Sequence, residues 1–374
     1  MPKTIFSWAS GIEDCINCRL CESRTQVVKK KGDSKLVIIG EAPGEHEDKT
    51  GIPFSGAAGE VLSYCLKIAK IEDYALTNVV RCRPPENRKP KPDEIEACRD
   101  WLMKDIENAT HLILLGDTAL KAFFQHAKLQ DVIGIRMKWN DKIVVANYHP
   151  ASALHSPNFT FPMLHVWKRM HKQLYEKETP AEFDRVDYLP REGELVAIDT
   201  EIINGELICI ALAWKERDGI KATVLKEPRS LPEYRFVAHN WKYDLKYLAM
   251  YGCIEWDTDA DDTAVLAYLN HLPHISLKKL YAFIYHCRYP EFEELFSRGI
   301  DDRIYEYCMR DAVMTLKVYQ ELEKYPYYNK IDRPVPRVLC NMEFSGVRLD
   351  VDRLNKLHDE LRHCLLYTSP SPRD

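Results

Sequence analysis

At 374 residues with 45% hydrophobic content, the chain is long enough for two domains with cores of their own. No run approaches the roughly 20 apolar residues that span a bilayer, and the opening MPKTIFSWASGIED sets acids where a signal peptide needs an apolar stretch, so a cytoplasmic protein is expected, with no membrane partner. The net charge of −5 hides an asymmetry: residues 1–172 hold 25 Lys and Arg against 21 Asp and Glu, and residues 173–374 hold 27 against 36. The first half suits a polyanion directly, whereas the second would meet one only through cations.

The 12 cysteines are few for a disulfide scaffold of this length and cluster unevenly, which favours reduced thiols and metal binding. Cys15 and Cys18 form a CxxC, with Cys21 three residues on. The apolar run 35–40 reads as a buried strand that turns at once into Gly40-Glu-Ala-Pro-Gly44. Beyond the Gly-bounded loop 51–56, a helix is expected over 57–69, a strand over 74–80, a helix over 93–108, a strand over 111–115, a helix capped by Asp117 and a strand over 143–147. Strands alternating with helices predict an α/β fold with a parallel sheet covered on both faces. Asn78 then falls near the C-terminal end of its strand, where such folds keep ligand sites. Between Cys82 and Cys98, Arg81, Arg83, Arg88, Lys89 and Lys91 alternate with prolines, giving a stiff cationic loop that suits a phosphate backbone. By residue type alone the cysteines fit buried thiols or zinc equally.

Cys15-x2-Cys18, GEAPG at 40–44, PFSG at 53–56, TNVVRCRPPENR at 77–88, Cys98 and HPA at 149–151 stand in the order and spacing of family 4 uracil-DNA glycosylases, which residues 10–175 resemble. The resemblance implies a 4Fe-4S cluster on Cys15, Cys18, Cys82 and Cys98, with Cys21 left out. It also implies uracil-containing DNA as partner and base excision repair as the process. Uracil must leave the stack before it can be cut out; Phe54 would offer it an aromatic face and the Asn78 amide would pair with its edge. His149, helped by the backbone of Glu41 and Ala42, would stabilise negative charge on uracil O2. Ala42 stands where related families keep an aspartate, so Glu41 or Glu47 is left to assist water. No KRRIH-like insert of the covalently linking variant is present.

From 171 to 194 periodicity fades into charges and prolines, which reads as a helix end and a linker. Strands follow over 195–201 and 207–214, joined by Asn204-Gly205, a hairpin signal. Asp199 and Glu201, two apart on a strand, point the same way. A strand over 235–238 leads through His239-Asn-Trp-Lys-Tyr-Asp244 into a helix, and Tyr307 and Asp311 share a face of a helix over 303–323. Asp199, Glu201, Asp244 and Asp311 are thereby candidates to converge around two divalent ions, Mg2+ or Mn2+.

DTE, NWKYD and YCMRD make residues 193–326 resemble the RNase H-like 3′-5′ exonuclease domain of family A (polymerase I-like) DNA polymerases. That resemblance implies two-metal hydrolysis of single-stranded 3′ ends, with Tyr307 orienting the water and Asn240 supporting the strand. Asp262 and a helix over 276–286 receive structural roles. Residues 333–365, a short strand and an amphipathic helix, resemble the entry to a polymerase thumb, and no palm follows. The expected organisation is a glycosylase-like domain at 1–178, a linker at 179–193, an exonuclease domain at 194–328, the start of a thumb at 329–363 and a non-native tail at 364–374. Such an order resembles bacteriophage DNA polymerases, with the rest of the polymerase as a partner and replication as the setting. The alternative makes the first half a non-catalytic cluster-bearing module that feeds strand to an active exonuclease.

Overall fold

The computed structural model describes residues 12–297, 299 and 301–368; the end of the tail, from 369 onward, falls outside them. The first half is built on β1 (Leu36–Gly40), α1 (Glu45–Thr50), α2 (Ala57–Ala69), β2 (Ala75–Asn78), α3 (Pro92–Asp105), β3 (His111–Leu115), α4 (Asp117–Phe123), α5 (Leu129–Val132), β4 (Arg136–Trp139), β5 (Lys142–Asn147), α6 (Ala151–His155) and α7 (Thr160–Tyr175). Its five strands run in the order β2-β1-β3-β5-β4. Alternate residues of β1 enter different cores: Leu36 and Ile38 pack with Leu62, Leu66 and Trp167 of α2 and α7. Val37 and Ile39 pack with Leu102 of α3 and Leu120 of α4. A strand buried on both faces needs this uninterrupted apolar run.

Two expectations need correction here. The sheet is not wholly parallel, because β4 pairs antiparallel with β5 through a tight turn, Trp139 standing opposite Lys142; the alternation of RMKW is the short local trace of this half-buried edge strand. Asp117 is the first residue of α4 rather than its cap, a place taken by Gly116 at φ 89°.

The second half contains β6 (Asp184–Arg185), β7 (Leu195–Ile203), β8 (Glu206–Glu216), β9 (Gly219–Leu225), β10 (Arg235–Ala238), α8 (Trp241–Met250), β11 (Ala260–Asp262), α9 (Thr263–Leu269), α10 (Leu277–Tyr285), α11 (Phe292–Phe296), α12 (Arg303–Glu321), α13 (Val335–Ser345) and α14 (Val351–Thr368). Its mixed sheet has the order β11-β10-β7-β8-β9-β6. Asn204 and Gly205 both have positive φ, 53° and 85°, the geometry of a two-residue hairpin turn. Ala197 packs with Cys308 and Ala312 of α12, while Val196 and Ile198 pack with Trp241 and Leu245 of α8. The strand's period of two therefore turns Asp199 and Glu201 to the face that α12 covers.

The stretch expected as a linker is docked rather than free. Its β6 pairs with β9, Thr179 N donates to Tyr285 O at 2.9 Å, and Ala181 N donates to the Tyr289 hydroxyl at 2.7 Å. Near the C-terminal end, α13 packs on the second sheet's body, with Cys340 in its core and Arg337 paired with Asp259 at 2.8 Å. The short strand expected before the last helix does not form. Gly346 ends α13 at φ 65°, and Asp350 Oδ1 accepts from Arg353 N at 2.9 Å, so a turn and a cap occupy those residues. No described helix is long and apolar enough to cross a membrane.

The core of the first sheet continues into the second half through α10 and α12. Gln173 Nε2 donates to Phe283 O at 2.5 Å, Arg169 donates to Ile284 O at 3.0 Å, and Phe283 closes over Gly134. A Cβ on Gly134, whose φ is 68°, would lie 2.7 Å from the Phe283 ring and 2.8 Å from Val166. Gly134→Ala is expected to cost about 2 kcal/mol through overpacking and backbone strain. An unchanged urea midpoint, followed by intrinsic fluorescence, would refute that close packing.

Candidate active sites

The turn after β1 and the ends of β2 and β5 enclose a cavity of about 500 Å³ lined by Glu41, Ala42, Phe54, Asn78, Arg88 and His149, among others. Glycines make the convergence possible. A Cβ on Gly40 would meet Asn78 Oδ1 at 2.4 Å and Phe54 Cζ at 2.5 Å, and a Cβ on Gly59 would meet the Phe54 carbonyl at 1.8 Å. Phe54 takes φ 54°, a left-handed conformation that an aromatic residue keeps only when its surroundings impose it. Its ring lies 6.0 Å from that of His149, 25° from parallel.

His149 Nδ1 accepts from Ala151 N at 3.2 Å, so the neutral ring carries its proton on Nε2. Burial pushes the imidazole down to about 4, against the pull of Glu47. The side chain is thus a neutral N–H donor at physiological pH. Glu41 Oε2 accepts from Thr118 Oγ1 at 2.5 Å. Glu47 accepts from Gly44 N at 3.1 Å and Gly56 N at 2.9 Å, which ties the two loops of the pocket together.

Much of the cationic loop is spent internally, contrary to the expectation of a free phosphate-binding surface. Arg81 is 2% exposed and pairs with Thr77 and Asp105. Arg88 makes a two-point pair with Glu94 at 2.6 and 2.8 Å, and Arg83 donates to Asn87 at 2.8 Å. Lys89 and Lys91 remain exposed.

Beside this loop, Cys15, Cys18, Cys82 and Cys98 line one small cavity with Ile12, Val27 and Trp101; Cys21 is not in its wall. Arg24 Nη1 donates to Cys82 Sγ at 3.3 Å, a cation suited to offsetting thiolate charge. Four soft sulfur donors lining one cavity, with the Arg24 guanidinium beside them, are a donor set that suits a multi-iron cluster.

In the second half, donor atoms of Asp199, Glu201 and Cys308 lie within 4.8 Å of one another. Cys308, which the motif pattern did not single out, donates to Asp199 O at 3.4 Å. Asp244 accepts from Thr200 Oγ1 at 2.6 Å, and Asp311 pairs with Lys278 at 2.8 Å, whose Nζ also donates to the Tyr307 hydroxyl. Burial, then the charges of Asp311, Glu201 and Asp244, hold Asp199 well above the usual carboxylate range. Burial and Asp311 push Glu201 to about 8, and burial pushes Asp244 to about 7. Asp199 Oδ2 is buried without a hydrogen-bond partner, and an anionic oxygen left so is a fit for a hard cation. Asn240 sits at φ 70° as the residue before α8, its N–H donating to Asp262 Oδ1 at 3.1 Å. Asp262 also caps α9, in keeping with a structural role.

Residues 28–171 match the model of the uracil DNA glycosylase superfamily. The type-4 uracil-DNA glycosylase of Archaeoglobus fulgidus is 36% identical over 188 residues, 46% of this chain and 94% of that protein. The type-4 enzyme of Thermotoga maritima is 41% identical over 152 residues, 38% of this chain and 79% of that protein. The chain belongs to the type-4 uracil-DNA glycosylase family. A DNA polymerase of Bacillus phage SP01 is 28% identical over 147 residues, 37% of this chain but 16% of that much longer protein.

Three supporting residues escaped the sequence. Lys278 carried one usable signal, a cation on the apolar face of a helix between Leu277 and Leu280, all three buried. Arg24 and Thr118 carried none, since their partners are 58 and 77 residues away. Cys21→Ser is expected to leave iron and sulfide content unchanged, while Cys82→Ser lowers both; equal loss in the two variants would contradict the arrangement of the cavity.

Proposed function

We propose that the chain excises uracil from DNA with its first half and removes 3′-terminal nucleotides with its second. The observation that carries the first activity is the neutral, Nε2-protonated His149 facing a cavity that also holds Phe54 and Asn78, in a chain whose relatives are type-4 uracil-DNA glycosylases. A flipped base lies against Phe54, and the Asn78 amide reads its edge. As the glycosidic bond breaks, its electron pair passes to the base, and His149 Nε2–H donates to the developing negative charge on O2. A neutral donor does this without first stabilising an anion in the ground state. Glu41, held by Thr118, and the backbone at Ala42 border the same space, in which water adds its oxygen to the sugar C1′ and its proton ends on the departing uracil anion. Cys15, Cys18, Cys82 and Cys98 would hold a 4Fe-4S cluster, which anchors the N-terminal segment to the base of the cationic loop.

For the second activity, Asp199, Glu201, Asp244 and Asp311 would hold two Mg2+ or Mn2+ ions, which supply an activated water and neutralise the leaving 3′ oxygen. Tyr307 would orient the water and Asn240 would support the strand. The partnerless Asp199 oxygen supports this reading, and the partial likeness to a phage DNA polymerase is in keeping with a replication setting for the chain.

Purified protein given single-stranded DNA with an internal uracil is expected to release free uracil with or without EDTA. Shortening of the 3′ end is expected with Mg2+, and to disappear with EDTA or in Asp199→Ala. Uracil release absent from a protein with a full complement of iron would instead favour a DNA-binding module.

Because burial lowers the His149 pKa to about 4, the ring stays neutral as pH falls from 8 to 5. Uracil release should therefore show no inflection near 6.5 due to this residue. His149→Gln should lower kcat by about a hundredfold, the scale of losing one charge-stabilising donor, evenly across that range. An inflection near 6.5 that vanishes in the variant would show that the protonated ring is the active form.

A further inference from the structure

Helix α10 reaches into both halves. Its second residue, Lys278, is 8% exposed, and its Nζ donates to Asp311 Oδ2 at 2.8 Å and to the Tyr307 hydroxyl. The same nitrogen lies 4.1 Å from the centre of the Tyr307 ring, which is edge-packed by Phe292 at 5.7 Å and Phe296 at 5.9 Å. The neighbouring Lys279 pairs with Asp131 of the first half at 2.6 Å. His274, just ahead of the helix, shares a hydrogen bond with Ile133 O at 2.6 Å, and Phe283 lies against Gly134 and Val166. The rotation of α10, and with it the place of Lys278, is therefore fixed by the first half.

We propose that Lys278 is a positioning residue of the acidic site. It holds the Tyr307 hydroxyl and the Asp311 carboxylate in register for hydrolysis at a 3′ end, and the first half acts as a buttress that keeps it there. The proposal rests on the exonuclease reading. It has a signature that a merely structural lysine lacks. Lys278 is a cation paired with Asp311 and close enough to Glu201 for its charge to be felt there, so it opposes a divalent ion electrostatically while ordering the groups the reaction needs. Removing it deepens the negative potential of the site and releases Tyr307. Metal affinity and turnover should then move in opposite directions, whereas loss of local structure lowers both.

The test uses the full chain and Lys278→Met, with Mn2+ titrated calorimetrically into metal-free protein and steady-state shortening of a single-stranded oligonucleotide measured alongside. The variant is expected to bind Mn2+ about threefold to tenfold more tightly, the scale of one partly screened charge. Its kcat should fall about tenfold to a hundredfold with KM within about twofold, as for a positioning loss. Lys278→Arg, which keeps the charge, should recover wild-type Mn2+ affinity and part of kcat. Uracil release from the same preparations reports that the variants are folded. Weaker or unchanged Mn2+ binding in Lys278→Met, or kcat within about twofold of wild type, overturns the role of Lys278 alone. A wild-type protein that neither binds Mn2+ nor shortens 3′ ends overturns the exonuclease reading as well.

Discussion

The absence of a side chain at Gly40 is the constraint on which the first pocket depends. The space a methyl group would fill is taken from one side by the Asn78 amide and from the other by the Phe54 ring. Those two side chains come from different elements, one from the end of β2 and the other from the loop before α2. Gly59 performs the same service one layer out, letting α2 pack on the Phe54 carbonyl and sustain its left-handed backbone. Gly116 leaves a Cβ only 3.2 Å of room beside that of His149. The Asn78 amide, the Phe54 ring and the His149 imidazole thus share one cavity because three backbone positions carry no side chain.

Charge is managed differently in the two halves. In the first, charged and polar groups are held in local pairs: Arg81 with Asp105, Arg88 with Glu94, and Arg24 donating to Cys82 Sγ. Matching of this kind holds geometry but leaves little charge free for chemistry. In the second, Asp199, Glu201, Asp244 and Asp311 gather around one ion pair, Lys278 with Asp311, and burial, then the neighbouring carboxylates, pushes Asp244 to about 7, Glu201 to about 8 and Asp199 well above the usual carboxylate range. Such uncompensated clusters are costly to fold and mark places where a protein keeps a reaction or a cation in view.

The two halves share more than a chain. Phe283, Leu280 and Tyr281 enter the core that Val166 and Trp167 begin, and the 179–193 segment is sewn to the second half by Ala181, β6 and β9. Hydrophobic contact of this extent argues for fixed relative placement rather than hinged domains. The two candidate sites therefore stand at a set distance from each other.

Most of the architecture was legible because strands buried on both faces and helices with one apolar stripe leave periodic traces: β3, α2 and β10 end where the pattern ends. The order of the motifs marked Phe54, Asn78, His149 and the four cysteines of the cavity, and the DTE spacing put Asp199 and Glu201 on one face. What the sequence could not carry were relations between distant segments. The antiparallel pairing of β4 with β5 and the docking of 179–193 follow from neighbours in space, which no local period encodes. The cationic loop looked free because pairing with Glu94 and Asp105 appears only after α3 folds back beside it. The tautomer of His149 hangs on the Ala151 amide, and the order of the acidic site hangs on Lys278. Chain-local periodicity determined the elements and the residue types at each site; long-range packing decided which of those residues meet, because partners 33 to 77 residues apart are joined only by the fold.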